Sequence, residues 1–372
     1  MAKAKYKKGT DGYYRTKAWD GTYDEYGRKN RIHLCSKKSS ADLEKKVNEL
    51  KAAIKEGTHV LTSEETFVEY SRRWLEAYKA IKSTNTKAMY KNIIENHFYS
   101  LENIKVTDIK KIHFQLIINS AADKPRICQQ IKLTFKQVIQ AAIDDQLLPK
   151  GAKDSICRGV DIPKYIPKER RTLTAKEKAA IKTADFSTME RTFVYIIYGC
   201  GLRRAEVLAL RPMDINLKRA ELTVRQSVEF DGNNPSLKEP KSENGRRTVP
   251  MPAFLVAHLK EYLPTLHSAF LMHTRDGSMM TKSSYRRMWE SITNKMNLAA
   301  GGTESLQVIY GLTAHIFRHN YCSELCYQIP AISTKKIAQL LGDTEKMVIE
   351  VYSHILEEKE DAQAVVETAI AL

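Results

Sequence analysis

No stretch of about 18 or more apolar residues occurs in the chain, so a membrane-spanning helix is not expected. The basic start, MAKAKYKKGT, is not followed by an apolar run, which argues against a secretory signal. Cysteine is sparse and scattered, at positions 35, 128, 157, 200, 322 and 326. Only Cys322 and Cys326 stand close, four apart within an expected helix. Reduced cytosolic thiols are therefore expected, rather than a disulfide framework or a zinc ribbon. Internal repeats and low-complexity tracts are missing, and so is a carboxylate cluster suited to a metal. His315 and His319 stand at metal-ligand spacing, but Ile316 occupies the place where zinc hydrolases of that geometry need glutamate. No cofactor or metal is expected. The last shortage is of negative charge. Against 60 Lys and Arg there are 44 Asp and Glu, a net charge of +16. An excess of that size points to a polyanion partner. Ribosomal proteins, nucleases and recombinases would all satisfy it, so the charge narrows the partner and not the reaction.

At 372 residues the chain should divide into roughly two or three domains. Residues 1–57 form the first unit: strand-like GYYRTKAW and NRIHLCS around a turn at 25–28, then a helix over 40–56. In that helix Leu43, Val47, Leu50 and Ile54 recur at three- and four-residue steps, and Gly57 stops it. A three-stranded sheet carrying one helix would fit. The second unit, 62–153, opens on the capping-box-like Thr62-Ser63-Glu64-Glu65 and reads as four helices. Pro163 and Pro167 mark a linker over 154–171. The third unit, 172–372, opens with Thr174 capping a helix through Glu177. Helices are expected at 175–184, 188–199, 203–210, 252–263, 281–297, 313–327, 333–341, 344–352 and 357–370. Strands are expected at 220–228 and 246–251, with a turn at 231–234. The fold class is mainly α with small β elements (α+β).

Four separated segments of the third unit carry the chemistry. The first is the 18-residue stretch from Tyr198 to Ile215, with Gly199 and Gly201 allowing a tight backbone ahead of Arg203 and Glu206. The second, from Leu237 to Met251, places Lys238 and Lys241 before an Arg-x-x-x-Pro strand. The third is His315-Ile-Phe-Arg-His, where a basic pair at i, i+3 shares one helical face and can converge on one anion. The fourth runs from Leu340-Leu-Gly-Asp to Val351-Tyr-Ser-His, with Asp343 nine residues before Tyr352.

Together these segments resemble the tyrosine recombinases, the phage and transposon integrases, over essentially the full chain. The first matches the family's Gly-Leu-Arg-x-x-Glu…Leu…Asp-Ile box, so the resemblance makes Arg203 the first catalytic arginine and Glu206 the acid that buttresses it. Lys241 matches the hairpin lysine, with Lys238 as the competing choice. His315 and Arg318 fill the His-x-x-Arg box, and Tyr352 is the nucleophile. Asp343 departs from the family, which carries histidine or tryptophan there. An ionised aspartate cannot donate a hydrogen bond to a phosphate oxygen. It would repel the scissile phosphate unless paired with an arginine or lysine, and it could instead orient Arg318 or His315.

What the resemblance implies is chemically coherent. Tyrosine, with an ordinary pKa of about 10, needs help to attack a phosphodiester. Two permanently charged arginines can hold both non-bridging oxygens, a lysine can protonate the leaving 5′-oxygen, and a histidine can take the phenolic proton. The resulting 3′-phosphotyrosine conserves the bond energy, so rejoining needs neither metal nor ATP. The resemblance also implies three domains: an arm-site-binding sheet and helix, a helical core-binding domain, and a catalytic domain with a C-terminal tail helix that docks in cis or trans. Candidate DNA contacts are Tyr14, Arg15, Lys17 and Arg31 in the first, and Lys124 and Arg126 in the second. The expected function is site-specific DNA recombination, integrating and excising a phage or transposon. Double-stranded DNA is the expected partner, bound by a homo-oligomer (a tetramer) in the bacterial cytoplasm, with an excisionase or a host DNA-bending protein as a possible accessory. The alternatives are type IB topoisomerase-like relaxation, which the arm-like unit and the tail disfavour, and a DNA-binding protein with a degraded site.

Overall fold

The computed structural model describes residues 4–166, 171–240 and 245–359, without the side chains of 354–359. Lys241 and the expected helix over 357–370, beyond Lys359, lie outside the described residues. The chain divides into two compact units, Met1–Pro167 and Lys168–Leu372.

In the first unit, strands β1 (Tyr14–Tyr23) and β2 (Lys29–Ser36) form an antiparallel hairpin, with Arg15 opposite Cys35, Lys17 opposite His33 and Trp19 opposite Arg31. Among the described residues the hairpin has two strands where three were expected. The remaining pairing is a single bridge between Lys8 and Tyr14. The turn is held by Asp24, whose carboxylate accepts from the backbone of Tyr26 and Arg28. Helix α1 (Ser40–Glu56) starts at Ser39, which accepts from Asp42 N, and ends at Gly57 with φ 64°. Leu43, Val47 and Leu50 are buried there, as their spacing requires.

Helices α2 (Phe67–Tyr78), α3 (Thr84–His97), α4 (Lys111–Ser120), α5 (Pro125–Asp144) and α6 (Ala152–Cys157) complete the first unit. Their shared core centres on Phe67, Phe98, Phe114 and Phe135, all fully buried. The capping box lies at Thr66–Glu69, four residues beyond the expected Thr62-Ser63-Glu64-Glu65, because the buried run begins only at Phe67 and Val68. The expected linker from residue 154 is also corrected. Residues 152–157 are helical, since Ile156 and Cys157 find places in the core, and the extended segment starts after them.

The second unit opens with α7 (Ala175–Thr183), capped by Thr174 and Glu177 as the sequence indicates. It continues with α8 (Thr188–Cys200) and the short α9 (Arg204–Val207). Five strands follow: β3 (Ile215–Asn216), β4 (Glu221–Val224), β5 (Ser227–Asp231), β6 (Asn234–Lys238) and β7 (Arg247–Pro250). They form two antiparallel sheets, ordered β3-β4-β7 and β5-β6. The single strand expected over 220–228 is thus two strands in different sheets, and β6 had no counterpart in the sequence reading. Helices α10 (Ala253–Tyr262), α11 (Lys282–Ala299), α12 (Ala314–Cys326), α13 (Thr334–Leu341) and α14 (Glu345–Lys359) complete the described residues. The break expected after residue 352 is absent, for α14 runs on through Lys359. A large core joins α7, α8, α10, α11 and the sheet, while a smaller cluster packs Cys322, Cys326, Ile337, Leu341, Val348 and Val351 between α12, α13 and α14.

Candidate active site

Two helix ends make the frame of the site. Helix α8 ends at Gly201 (φ 62°) and α13 ends at Gly342 (φ 62°), both left-handed. Helices leave their last carbonyls without intrahelical partners, and the helix dipole makes that end negative. Here arginines fill the need. Arg318 Nη1 donates to the Gly201 carbonyl at 2.9 Å. Arg203 donates through Nη1 and Nη2 to the Gly342 carbonyl, each at 3.1 Å. Arg247 Nε donates to the Leu340 carbonyl at 2.7 Å.

Glu206 ties two of these arginines to α9. Its carboxylate accepts from the Arg203 backbone N–H at 2.8 Å and from Arg203 Nη1 at 3.0 Å. It also accepts from Arg247 Nη1 at 3.1 Å and Nη2 at 2.7 Å. Burial alone would raise the Glu206 carboxyl, but the bonds and charges of Arg247 and Arg203 outweigh it and hold the group below the usual range. Arg247 is the functional-site residue that the sequence reading passed over. A signal for it exists: strand β7 alternates, with Arg247 and Val249 buried and Thr248 and Pro250 exposed, so an arginine faces inward there.

The two arginines of the sequence motifs meet on one atom. Asp343 Oδ2 accepts from Arg203 Nη2 at 2.9 Å and from Arg318 Nη2 at 3.0 Å, while Oδ1 accepts from the Thr344 N–H. The charge repulsion foreseen for aspartate at this position is therefore met by pairing. Burial works against the Asp343 carboxylate, yet the Thr344 bond and the two arginines hold it below the ordinary range. Burial pulls the Arg318 guanidinium down to about 10, assisted by the charge of Arg203, so it remains cationic at neutral pH. Arg318 is nearly buried, whereas Arg203 has 41% of its side chain exposed.

His315 lines a cleft of about 830 Å³ together with Arg203, Arg318, Lys282, Tyr285 and Trp289, and the exposed Arg204 stands over the Tyr285 ring. His315 and His319 also border a smaller cavity that reaches Asp343, Cys322 and Val351. Tyr352 sits on α14 and packs, half-buried, against the small cluster formed with α12 and α13. No hydrogen bond joins it to Arg203 or Arg318 among the described residues. The competing lysine, Lys238, is paired with Glu229 at 2.9 Å on the neighbouring strand. Among the described residues no group of three or more His, Cys, Asp or Glu side chains could hold a metal ion.

In the first unit, Arg15, Lys17 and Arg31 are exposed and share one face of the hairpin. Tyr14, opposite Ser36, points to the other face. Arg15 is engaged by Asp11, whose carboxyl it lowers to about 2. Lys124 pairs with Asp123 at 3.3 Å, and Arg126 lies over Tyr165, its guanidinium carbon 5.4 Å from the ring centre.

Comparison with known proteins places this geometry. Residues 171–359 match the Phage integrase family, and residues 66–121 match the phage integrase N-terminal SAM-like domain. A tyrosine recombinase XerC-like protein of Caldanaerobacter subterraneus subsp. tengcongensis is 24% identical over 95% of both chains. Tyrosine recombinase XerD of Staphylococcus epidermidis is 22% identical over 78% of this chain and 94% of its own. Among solved structures, the Tn1549 transposon integrase with transposon right-end DNA superposes with a TM-score of 0.67 at 18% identity, covering 82% of this chain and all of that one. The lambda integrase tetramer on a Holliday junction gives 0.58 at 14% identity, covering 92% and 93%. With a family match that spans half its length and contains every residue of the arginine frame, the chain belongs to the phage integrase family, the tyrosine recombinases.

Proposed function

We propose that the chain cuts and rejoins double-stranded DNA at defined sites through a 3′-phosphotyrosine on Tyr352, integrating and excising a mobile element. The observation that carries this reading is the convergence of Arg203 and Arg318 on a single anionic oxygen. Two guanidinia so placed suit the non-bridging oxygens of a phosphodiester, and charge fixed before reaction is commonly the largest catalytic contribution. In the proposed step the Tyr352 oxygen bonds to phosphorus as the bond to the 5′-oxygen breaks. His315 takes the phenolic proton and Lys241 supplies one to the 5′-oxygen. Attack by a new 5′-hydroxyl on the phosphotyrosine reverses the sequence and reseals the strand.

The rest of the architecture is assigned to DNA recognition. Residues 1–57 would bind arm sites through the exposed Arg15, Lys17 and Arg31, and residues 62–153 would bind core sites with Lys124 and Arg126 at the entrance to α5. DNA and self-association are supported by the family and by relatives solved on DNA as dimers and tetramers. A tetramer, an excisionase or a bending protein for this chain, and a bacterial cytoplasmic setting, belong to the proposal. No described helix is long and apolar enough to cross a membrane.

The test is covalent trapping on a nicked suicide duplex carrying the element's own end sequence. The wild type should form a complex that survives denaturant, and Tyr352→Phe should form none while binding the duplex with unchanged affinity. Loss of binding in Tyr352→Phe would mean that this tyrosine is structural, and undiminished trapping would place the nucleophile elsewhere.

A further inference from the structure

The anion seated between Arg203 and Arg318 belongs to the chain itself, and donor counting shows what that entails. A guanidinium has five N–H donors, four of them on the terminal nitrogens. In Arg203 those four serve Glu206 Oε1, the Gly342 carbonyl twice, and Asp343 Oδ2. A phosphate oxygen that is to be held by a terminal nitrogen of Arg203 must therefore displace one of them. Glu206 is buried and fixed from its other side by Arg247, and the Gly342 carbonyl is main chain at a helix end. Asp343 is the movable partner. Its side chain is 28% exposed, and its second oxygen accepts from the adjacent Thr344 N–H. Among the described residues it is also the hydrogen-bond partner that Arg203 shares with Arg318.

Carboxylate and phosphodiester carry the same single negative charge, so exchanging one for the other leaves the charge of the site unchanged. The two cannot share it, since both would stand on the same Nη2 groups with like charges within roughly 4 Å. The small cavity that Asp343 borders with His315, His319 and Met347 gives a displaced carboxylate somewhere to turn.

We infer that Asp343 is a resident anion: it holds Arg203 and Arg318 in clamp geometry in the free protein and is exchanged for the scissile phosphate when DNA is engaged. This rests on the reading of the two arginines as the phosphate clamp. It makes Asp343 a positioning residue, and it gives the position a role that a neutral or cationic side chain could not play. The clamp is assembled before DNA arrives, yet closed to small anions.

The full chain and its Asp343→Ala and Asp343→Asn variants, melted in chloride and in inorganic phosphate of matched ionic strength, test the inference. Both variants should melt lower than the wild type in chloride, because two guanidinia then face each other without an anion. Phosphate should raise them in excess of its effect on the wild type, by on the order of 3 °C. Should Asp343→Ala not fold, Asp343→Asn, equal in size and uncharged, carries the comparison alone. No excess over wild type would overturn the inference, as would persistence of the excess after Arg318→Ala is added. The melting needs no DNA cleavage. A wild type that fails to trap DNA therefore counts against strand transfer and leaves this comparison standing.

Discussion

Neutralising Glu206 should uncouple the arginine frame at its most buried point. Glu206→Gln keeps the shape of the side chain but turns one of its two acceptors into a donor. Four hydrogen bonds converge on the native carboxylate, from Arg203 N, Arg203 Nη1, and Arg247 Nη1 and Nη2. About half of these would become donor facing donor. The guanidinium of Arg247, only 5% exposed, would keep its charge and lose the Glu206 carboxylate it pairs with. Breaking a buried pair from one side costs about 3–5 kcal/mol, most of it from the charge left behind. For a unit of this size that corresponds to a fall in melting temperature of roughly 6–20 °C. The assay is thermal melting together with hydrogen exchange on peptides covering 204–210 and 247–250, where protection should drop first. Arg247→Met in the same background should recover part of the loss, because it removes the orphaned charge and fills the space. A Glu206→Gln protein within about 0.5 kcal/mol of wild type would refute the argument, since surface-like substitutions have effects of that size.

Two further outcomes follow from the same frame. Glu206 and Asp343 both have folded pKa values below the ordinary 4.5 and 3.8, so the unfolded chain takes up protons first as the pH falls. Their stabilising contribution is complete above those ordinary values and is lost as the pH falls through the lowered folded ones. Denaturation midpoints should thus decline in acid, less steeply in Glu206→Gln, and equal slopes would show that other carboxylates dominate. Gly201→Ala places a methyl group against the Tyr321 ring at a backbone position with φ 62°. The left-handed conformation costs about 1–2 kcal/mol and the overlap about 1–3 kcal/mol more. Trapping should fall with stability, because the Gly201 carbonyl seats Arg318, and a stable variant with normal trapping would show that the added methyl leaves this seat undisturbed.

The parts of the fold that the sequence disclosed are those whose signals are local. Helix α1 was bounded by the Leu43, Val47, Leu50 spacing and Gly57, and α7 by Thr174 and Glu177. The failures lie where distant packing decides. Thr62-Ser63-Glu64-Glu65 has the composition of a cap, but Thr66 takes the role because Phe67 and Val68 are the first side chains with a core to enter. Residues 154–157 carry the prolines' neighbourhood in sequence and a helix in space, since Ile156 and Cys157 have apolar partners on other helices. Strand β6 contains Pro235 and little hydrophobic pattern, and only its pairing with β5 defines it. Within the site, the motifs identified Arg203 and Arg318 separately, while Arg247 was visible only as an inward position on a four-residue strand.

The two glycines of the motifs gain a physical purpose from the frame. Read along the chain, Gly201 and Gly342 are turn formers ahead of Leu-Arg and Asp. In space each ends a helix in the left-handed conformation, which only glycine adopts without steric cost. That conformation exposes carbonyls at the negative end of a helix, and Arg318, Arg203 and Arg247 take up the carbonyls of Gly201, Gly342 and Leu340. The guanidinia are thus located by main chain, which does not change rotamer, and are drawn together by the two carboxylates Glu206 and Asp343. Of these, Glu206 is enclosed and cannot exchange, whereas Asp343, partly exposed, bridges Arg203 and Arg318. A phosphate entering from that side meets arginines already oriented by helix ends and needs to replace one anion, not to gather two distant cations. Asp343 therefore stands, among the described residues of the frame, where an anion can be exchanged without dismantling the rest.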